Sequence, residues 1–419
     1  MTLNTFSLAF LGALALMAAL RVWLGSRHIS HILTARGSVP EQFADRISLH
    51  AHQRAADYSV TRTRFGRLAL AIEIVVLLAF TLGGGLQALH DFWSPQLQGV
   101  WYGVALIVSV MAISGLIDLP LSLYMQFVIE ERFGFNRMTL RLFIVDLIKQ
   151  LALGLVIGTP VLLAVLWLMA QMGERWWLYV WLFWCAFNLL ILFVYPTWIA
   201  PLFNTFTPLE DAALKERIEA LLSRCGFSTS GLFVMDGSKR SAHGNAYFTG
   251  FGRTKRIVFF DTLLGKLQPE EVEAVLAHEL GHFHHRHIVK RIVLIFGTTL
   301  ILLFALGQLM QTGWFYTGLG VSGDDAHNTA MALILFFLTV PVFTFLTTPL
   351  ASLLSRRHEF EADRYAASHA SASDLVKALV KLYEDNAATL TPDPLHSLFY
   401  DSHPPAALRI ARLSSLDTR

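Results

Sequence analysis

Apolar residues along the chain gather into seven long runs separated by polar segments. A membrane-spanning α-helix needs roughly 20 mainly apolar residues. Runs of this length begin near Thr2, Leu68, Val100, Leu151, Trp177, Ile292 and Thr329. The pattern predicts an α-helical polytopic membrane protein with seven transmembrane helices and two larger polar parts, 205–289 and 355–419.

The distribution of Lys and Arg indicates on which side of the membrane each polar segment lies. No Lys or Arg precedes the first run, so we interpret it as a retained helix, not as a cleaved signal peptide. The polar segment after it is rich in arginine, whereas the short links "HDFWSPQLQ" and "QMGERWW" are poor in basic residues. Under the positive-inside rule the arginine-rich segment is cytoplasmic. Counting runs from there places 205–289 and 355–419 in the cytoplasm as well.

Composition narrows the function classes. Hydrophobic residues make up 54% of the 419 residues and charged residues 15%, as is typical of a membrane protein. The net charge of +2 gives no reason to expect a nucleic-acid partner. The two cysteines, Cys185 and Cys225, provide neither a disulfide framework nor a thiolate metal site.

The polar segment 205–289 combines helix and strand signals. "PLEDAALKERIEALLSRCG" predicts a helix that ends at Gly226, and "GLFVMDG" and "KRIVFFD" predict strands with a turn-rich stretch between them. "QPEEVEAVLAHELGHFHHRHIVK" predicts a further helix that continues into the sixth run. We divide the chain into a membrane domain, 1–204, with five helices, and a second domain, 205–419. The second domain contains two more helices, at about 291–312 and 329–353, and the tail.

The helix predicted from "QPEEVEAVLAHELGHFHHRHIVK" carries a metal-binding pattern, "HELGH" at 278–282. His278 and His282 are four residues apart, so both project from one face of the helix and can reach one zinc ion. Glu279 lies about 100° around the helix from His278, where it can accept a proton from water without binding the metal. This is the H-E-x-x-H motif of zinc peptidases.

Three more histidines follow within five residues. His282 and His285 form a rival pair, but His285 lies about 10 Å along the axis from His278 and cannot share a site with both. His284 and His287 lie on other faces of the helix. Together with Arg286 and Lys290 they are expected to form a polar cluster at the membrane interface.

A catalytic zinc site uses three protein ligands, so a third must come from elsewhere. "SRRHEFEADRYAASHA" follows the seventh run and offers Glu359 and Asp363 on one helix face, with Glu361 facing away. We expect Glu359 to be the third ligand and Asp363 to orient a ligating histidine. The alternative is that these carboxylates belong to a solvated helix start beside the membrane.

Six blocks together resemble one family: "FVIEERFGFN" at 127–136, "YPTWIAPLFNTFTPL" at 195–209, "SAHGNAYFTGFG" at 241–252, "HELGH" at 278–282, "SRRHEFEAD" at 355–363 and "SHPP" at 402–405. They are similar to the integral-membrane M48 zinc metallopeptidases of the CAAX prenyl protease, or Ste24-like, type.

The resemblance implies seven transmembrane helices forming a barrel around a chamber, closed on the cytoplasmic side by a small α+β zincin-like catalytic domain. It implies one zinc ion per chain on His278, His282 and Glu359. Glu279 is then the general base and Asp363 an acidic partner. His403 is a catalytic and substrate-binding residue, and Asn245 lies in the segment that runs along bound peptide. "HGNAYFTG" could offer a strand edge to that peptide.

The expected activity is zinc-dependent peptide-bond hydrolysis of a peptide or protein substrate. CAAX processing of prenylated proteins and membrane protein quality control are sub-hypotheses. We expect a monomer in a bacterial inner membrane with its catalytic side cytoplasmic, or in the endoplasmic reticulum of a eukaryote. The rivals are a metal transporter, although the runs carry few acidic residues beyond Glu73 and Asp118, and a catalytically silent M48-like binding module.

Overall fold

The computed structural model describes residues 3–249, 256–323, 326 and 328–417. Helices dominate the described chain: α1 (Thr5–Ala35), α2 (Leu49–Phe80), α3 (Gly85–Trp93), α4 (Gly99–Tyr124), α5 (Leu140–Leu153), α6 (Thr159–Gln171), α7 (Trp176–Val194), α8 (Ala212–Arg224), α9 (Asp261–Leu264), α10 (Pro269–His284), α11 (His287–Leu309), α12 (Gly313–Thr317), α13 (Thr329–Thr344), α14 (Thr348–His369), α15 (Ala372–Asp385), α16 (Pro394–Tyr400) and α17 (Ala406–Asp417). The strands are β1 (Phe206–Pro208), β2 (Gly231–Met235), β3 (Ala246–Thr249) and β4 (Arg256–Phe260).

The membrane helices confirm the seven apolar runs. Six continuous helical segments of the described chain are long and apolar enough to cross a bilayer: Thr5–Ala35, Gly99–Glu130, Leu140–Gln171, Gly173–Leu202, His287–Leu309 and Thr329–His369. The second run forms α2 and α3, which together make a seventh span bent by 49°. The bend falls at three consecutive glycines, of which Gly84 adopts φ +77°, a conformation that glycine permits without steric cost.

The arginine-rich segment after the first run is mostly helical, not a loop. α1 continues to Ala35, and α2 begins at Leu49, where Ser48 accepts a hydrogen bond from the amide of Ala51. Arg36 donates two hydrogen bonds of 2.8 Å to Asp57 across the two helices. The antiparallel pair α1 and α2 therefore extends beyond its apolar part toward the polar domain.

The spans pack side by side in a closed ring. α1 contacts α2, and α3 joins α2 to α4; the order then continues through α6, α7, α11 and α13 back to α1. Large apolar side chains such as Val156, Met111 and Phe193 remain exposed on the membrane helices, as expected for surfaces that meet lipid. Tyr316 and Phe315, from α12, are fully buried in the core of the ring.

A four-stranded sheet, in the order β1-β2-β4-β3, organises the polar domain. β2 and β4 are parallel, and they are the two strands that the sequence predicts. β3 is an additional strand in the stretch expected to be a turn, and it pairs antiparallel with β4, Tyr247 opposite Val258. Within the described residues the other side of β3 carries no strand, so β3 is an exposed edge.

The helices of the polar domain enclose a second apolar core. It joins α8, the sheet, α10, α15 and α17 through residues such as Ile218, Phe259 and Leu280. α8 ends at Arg224 and is followed by Gly226 with φ +63°, as the sequence predicts. α10 packs along α14, which continues from the last span. These two helices carry the candidate site.

Candidate metal centre and active site

α10 presents two imidazoles on one face. The helix starts with Pro269 at its first position, and Gln268 and Glu271 cap each other's backbone amides, an arrangement that satisfies the free N–H groups of a helix start. His278 is buried and lies one helical turn before His282. The Nε2 atoms of the two rings are 3.2 Å apart. The spacing therefore directs both nitrogens to the same point.

α14 brings two carboxylates to these imidazoles. Glu359 places Oε2 3.5 Å from Nε2 of His278 and Oε1 3.4 Å from Nε2 of His282. Asp363 lies one turn further along α14, and its Oδ1 is 2.9 Å from Nδ1 of His278. The structure thus brings together the four residues that sequence spacing singled out on two separate helices.

The close approach of α10 to α14 depends on Gly281. A Cβ atom added there would lie 2.8 Å from Cα of Ala362 and 3.0 Å from Cβ of Tyr365. The first of these is a backbone atom, which cannot rotate away. Gly281 therefore sets the distance between the two histidines on α10 and the carboxylates on α14.

Substitution of Gly281 by Ala is expected to push these helices apart. Overpacking of this kind costs about 1–3 kcal/mol, and a shift of about 1 Å at a reacting centre can reduce the rate about 100-fold. We expect a lower thermal unfolding temperature and a large loss of peptide cleavage. Gly297→Ala on α11 is the matched control, because no atom lies within 4 Å of its added Cβ. Wild-type unfolding and cleavage in Gly281→Ala would contradict this account.

The donors of His278, His282 and Glu359 fit a metal cation. One ligand atom from each lies within 4.8 Å of the others, and the closest separations, 3.2–3.5 Å, agree with the spacing of about 3.3 Å in a tetrahedral zinc site with bonds of about 2.0–2.2 Å. Oε2 of Glu359 is buried and receives no hydrogen bond from the described residues. A buried oxygen that accepts no hydrogen bond is unfavourable unless a cation or another ligand satisfies it. The residues present therefore fit the metal.

Arg409 completes the buried charge network, and no local sequence pattern predicts it. Its guanidinium comes from α17, is 6% exposed and donates from Nη2 and Nε to Asp363 at 2.6 and 2.9 Å. Nη1 lies 3.4 Å from Oε2 of Glu359. One cation therefore contacts both carboxylates, and its Nη2 also lies 3.4 Å from Nδ1 of His278.

Charges in this network shift the pKa values of His278 and Arg409. Burial of the imidazole, the largest single influence, acts to lower the pKa of His278; its interactions with the carboxylates of Asp363 and Glu359 outweigh this and raise the pKa to about 9. Burial likewise acts to lower the pKa of Arg409, but the hydrogen bonds to Asp363 and the charge of Glu359 raise it above its ordinary value. The two carboxylates thus create a position that stabilises positive charge.

The helix that carries the motif does not continue into the membrane, contrary to the sequence prediction. α10 ends at His284, Arg286 adopts φ +56°, and α11 begins at His287. His287, expected in a polar cluster at the membrane interface, begins the sixth span; its side chain is 5% exposed and its Nδ1 lies 2.9 Å from Nδ1 of His282. His284 is exposed.

Glu361 also has a different environment from the one expected. It faces away from Glu359, as the helix repeat predicts, but its Oε2 accepts a hydrogen bond of 2.9 Å from Nε2 of His287. A chain of contacts therefore runs from His282 through His287 to Glu361. The tertiary fold creates it, since the residues come from three different helices.

Of the other predicted residues, His403 contacts a residue of the centre. Glu279 is half-buried on α10 and forms no hydrogen bond or ion pair with the described residues. His403 is 61% exposed, with Nε2 3.4 Å from Oε1 of Glu359. Asn245, at the start of β3, is exposed; its side chain accepts from the amide of Ala246, and it makes no hydrogen bond to His278 or Glu359 within the described chain.

Comparisons with known proteins agree with this architecture. Residues 28–205 match the family profile described as CAAX prenyl protease N-terminal, five membrane helices, and residues 208–417 match the profile of peptidase family M48. The chain is similar to the CAAX prenyl protease 1 homolog of Arabidopsis thaliana, with 35% identity over 91% of this chain and 92% of that protein. It is 40% identical to CAAX prenyl protease 1 of Saccharomyces cerevisiae over 72% of this chain and 70% of that one.

A solved structure extends the similarity to three dimensions. The crystal structure of S. mikatae Ste24p superposes with a TM-score of 0.91 at 31% identity, and the match covers 98% of this chain and 99% of that one. Matches of this extent do not favour the transporter alternative. The chain therefore belongs to the CAAX prenyl protease type of the M48 peptidases, and it is a membrane-embedded metalloprotease of a generally zinc-dependent family.

Proposed function

We propose that this protein is a zinc endopeptidase that holds one zinc ion per chain on His278, His282 and Glu359. The observation that supports this most directly is the convergence of three donors, 3.2–3.5 Å apart, beside a buried carboxylate oxygen that accepts no hydrogen bond from the described residues. When bound, zinc supplies a Lewis acid that polarises the scissile carbonyl and lowers the pKa of water. Side chains of the protein carry out the remaining steps of the reaction.

Glu279 is the proposed general base. It follows His278 directly on α10, about 100° around the axis, and no partner among the described residues restrains its carboxylate. It accepts a proton from the attacking water and transfers it to the departing amine, a type of proton transfer worth about 10²–10⁴-fold in rate. The reaction is then hydrolysis of a peptide bond with one carboxylate acting first as base and then as acid.

Asp363 and His403 assist the reaction at different positions in the site. Both carboxylate oxygens of Asp363 are engaged by Arg409 and His278, which supports a role in orienting His278 and not in donating a proton. The side chain of His403 is exposed, and its Nε2 lies beside Oε1 of Glu359. We propose that His403 donates a hydrogen bond to the substrate oxyanion, which a neutral or a charged imidazole can do.

The substrate is a peptide that adds to the edge of the sheet. β3 has one unpaired side in the described structure, and Asn245 is exposed at its start. An extended peptide can form main-chain hydrogen bonds with such an edge. His243, two residues before Asn245, also lines a cavity of about 690 Å³ together with Tyr58 and Tyr400 among others, and we propose that this cavity receives part of the substrate.

The relatives' names suggest the class of protein substrate. Several are CAAX prenyl proteases, and we propose that this chain also processes the C-terminal region of CAAX proteins that carry a prenyl group. The lipid would be compatible with an enzyme whose site adjoins a ring of membrane helices. A CAAX peptide should be cleaved faster with its prenyl group than without it, and equal cleavage of both would remove the lipid from this proposal.

We propose that the chain acts as a monomer with two domains, 1–204 and 205–419. We also propose that its catalytic side faces the cytoplasm of a bacterial cell. The arginine-rich ends of α1 and α2 support this membrane orientation. Arg27 forms an ion pair of 2.8 Å with the buried Asp393, which starts α16 of the polar domain. The basic ends of these spans and the catalytic domain therefore lie on one side of the membrane, the side that basic residues favour.

Removal of the metal tests the proposed activity. We expect the purified full-length protein to contain about one zinc ion per chain, to lose peptide cleavage when a chelator removes that zinc, and to recover cleavage when zinc is added. Metal content and cleavage are measured on the same samples. Cleavage that persists after the zinc has been removed would contradict the proposal, as would a purified protein that binds no zinc.

A further inference from the structure

We infer that His287, supported by Glu361, sets the orientation of His282 and is a positioning residue of the metal centre. The inference rests on the proposed function, since it concerns how a zinc ligand is held. His278 has Asp363 at its outer nitrogen, whereas no carboxylate of the described residues contacts Nδ1 of His282. His287 takes that place, and Glu361 stands behind it.

The contacts form one continuous chain. Nδ1 of His282 lies 2.9 Å from Nδ1 of His287, and Nε2 of His287 lies 2.9 Å from Oε2 of Glu361. Arg357 donates to the second oxygen of Glu361 at 3.0 Å. The ring of His358 stacks on that of His287, with centroids 4.0 Å apart and planes 14° apart. The imidazole of His287 is therefore held in its plane and at both nitrogens.

The positions of the protons follow from these contacts. Nε2 of His282 faces the ligand cluster and must be free of hydrogen to bind a cation, so its proton is on Nδ1. That N–H donates to Nδ1 of His287, which must therefore be an acceptor. A neutral His287 then carries its proton on Nε2 and donates it to Glu361. A single tautomer of each ring satisfies every contact, and metal-bound histidines commonly need such an outer partner.

The backbone is arranged to make this contact. In an unbroken α-helix, residues 282 and 287 would point about 140° apart and lie about 7.5 Å apart along the axis, so their rings would diverge. The break at Arg286, with φ +56°, redirects the chain. A residue other than glycine adopts this conformation only at an energetic cost. Arg286, the residue in this conformation, directly precedes His287, and the turn at Arg286 brings the ring of His287 to His282.

Three variants of the full-length protein separate positioning from packing. His287→Phe keeps the ring but removes both polar atoms. His287→Asn retains an oxygen that can accept the N–H of His282 at the place of Nδ1. His284→Phe is the matched control, because His284 is an exposed neighbour outside the chain of contacts. The measurements are the rate of zinc release into excess chelator, kcat and KM for a peptide substrate, and thermal unfolding of the zinc-free protein.

We expect His287→Phe to release zinc about 10–100-fold faster than wild type and to lower kcat with little change in KM. His287→Asn should recover part of both losses, and His284→Phe should match wild type. Zinc release and kcat at wild-type values in His287→Phe would overturn the inference. So would equal zinc release from the Phe and Asn variants with lower unfolding temperatures of both zinc-free proteins, because that result indicates packing alone. A wild-type protein that binds no zinc would instead refute the proposed function.

Discussion

Replacement of Glu279 by Gln is expected to leave zinc bound and to reduce peptide cleavage by at least about 10²–10⁴-fold, the contribution of a positioned general base. The amide has the shape of the carboxylate but cannot accept the proton of the attacking water. Because Glu279 forms no ion pair or hydrogen bond with the described residues, its replacement removes no interaction that holds α10. Zinc content and thermal unfolding should therefore stay near those of wild type.

The experiment compares Glu279→Gln with Glu270→Gln, a substitution at the exposed start of the same helix, where the carboxylate pairs with Arg217. Metal analysis and single-substrate cleavage kinetics are made on each purified protein. Normal cleavage by Glu279→Gln would show that another group is the base. Zinc binding with no cleavage in the wild type would favour a catalytically silent binding module.

Replacement of Arg409 by Leu is expected to destabilise the protein by about 3–5 kcal/mol, because it leaves buried carboxylates without their cation. Asp363 is 3% exposed and loses two charge-assisted hydrogen bonds, and Glu359 loses its nearest guanidinium nitrogen. The two carboxylates then repel each other more strongly across one turn of α14. We expect a much lower unfolding temperature and weaker zinc binding.

A double variant provides the sharper measurement. Arg409→Leu combined with Asp363→Asn removes the unpaired charge together with its partner, so part of the lost stability should return. Arg412→Leu is the control on α17: that residue is exposed and stacks over Phe360 at 4.5 Å. If Arg409→Leu unfolded at the wild-type temperature, the buried network would contribute little to stability.

Much of the fold and the centre of the site follow from local patterns. Spans are long apolar runs, so six continuous segments and one bent pair could be predicted by length alone. His278 and His282, like Glu359 and Asp363, are four residues apart, and the helix repeat makes each pair share a face wherever the helices lie. The H-E-x-x-H motif then suggested that the two pairs meet.

The remaining features depend on tertiary contacts. Arg409 lies on an ordinary amphipathic helix, and only the packing of α17 buries its charge. His287 was assigned to a continuous helix because a histidine-rich sequence carries no signal for the left-handed turn at Arg286. β3 is short, and the glycine-containing stretch around it favours a turn by composition. Pairing with β4 supplies the hydrogen bonds that make it a strand.

The division of the site between α10, α14 and α17 also sets an order of assembly during synthesis. The ribosome adds about 5–20 residues per second, and two membrane helices, α11 and α13, separate His282 from Glu359. The nascent chain therefore exposes a two-histidine fragment for several seconds before the third donor exists. Arg409 is made later still, on the last described helix. A complete centre can form only after α14 and α17 have been produced, so proteolytic competence follows the synthesis of the membrane helices α11 and α13.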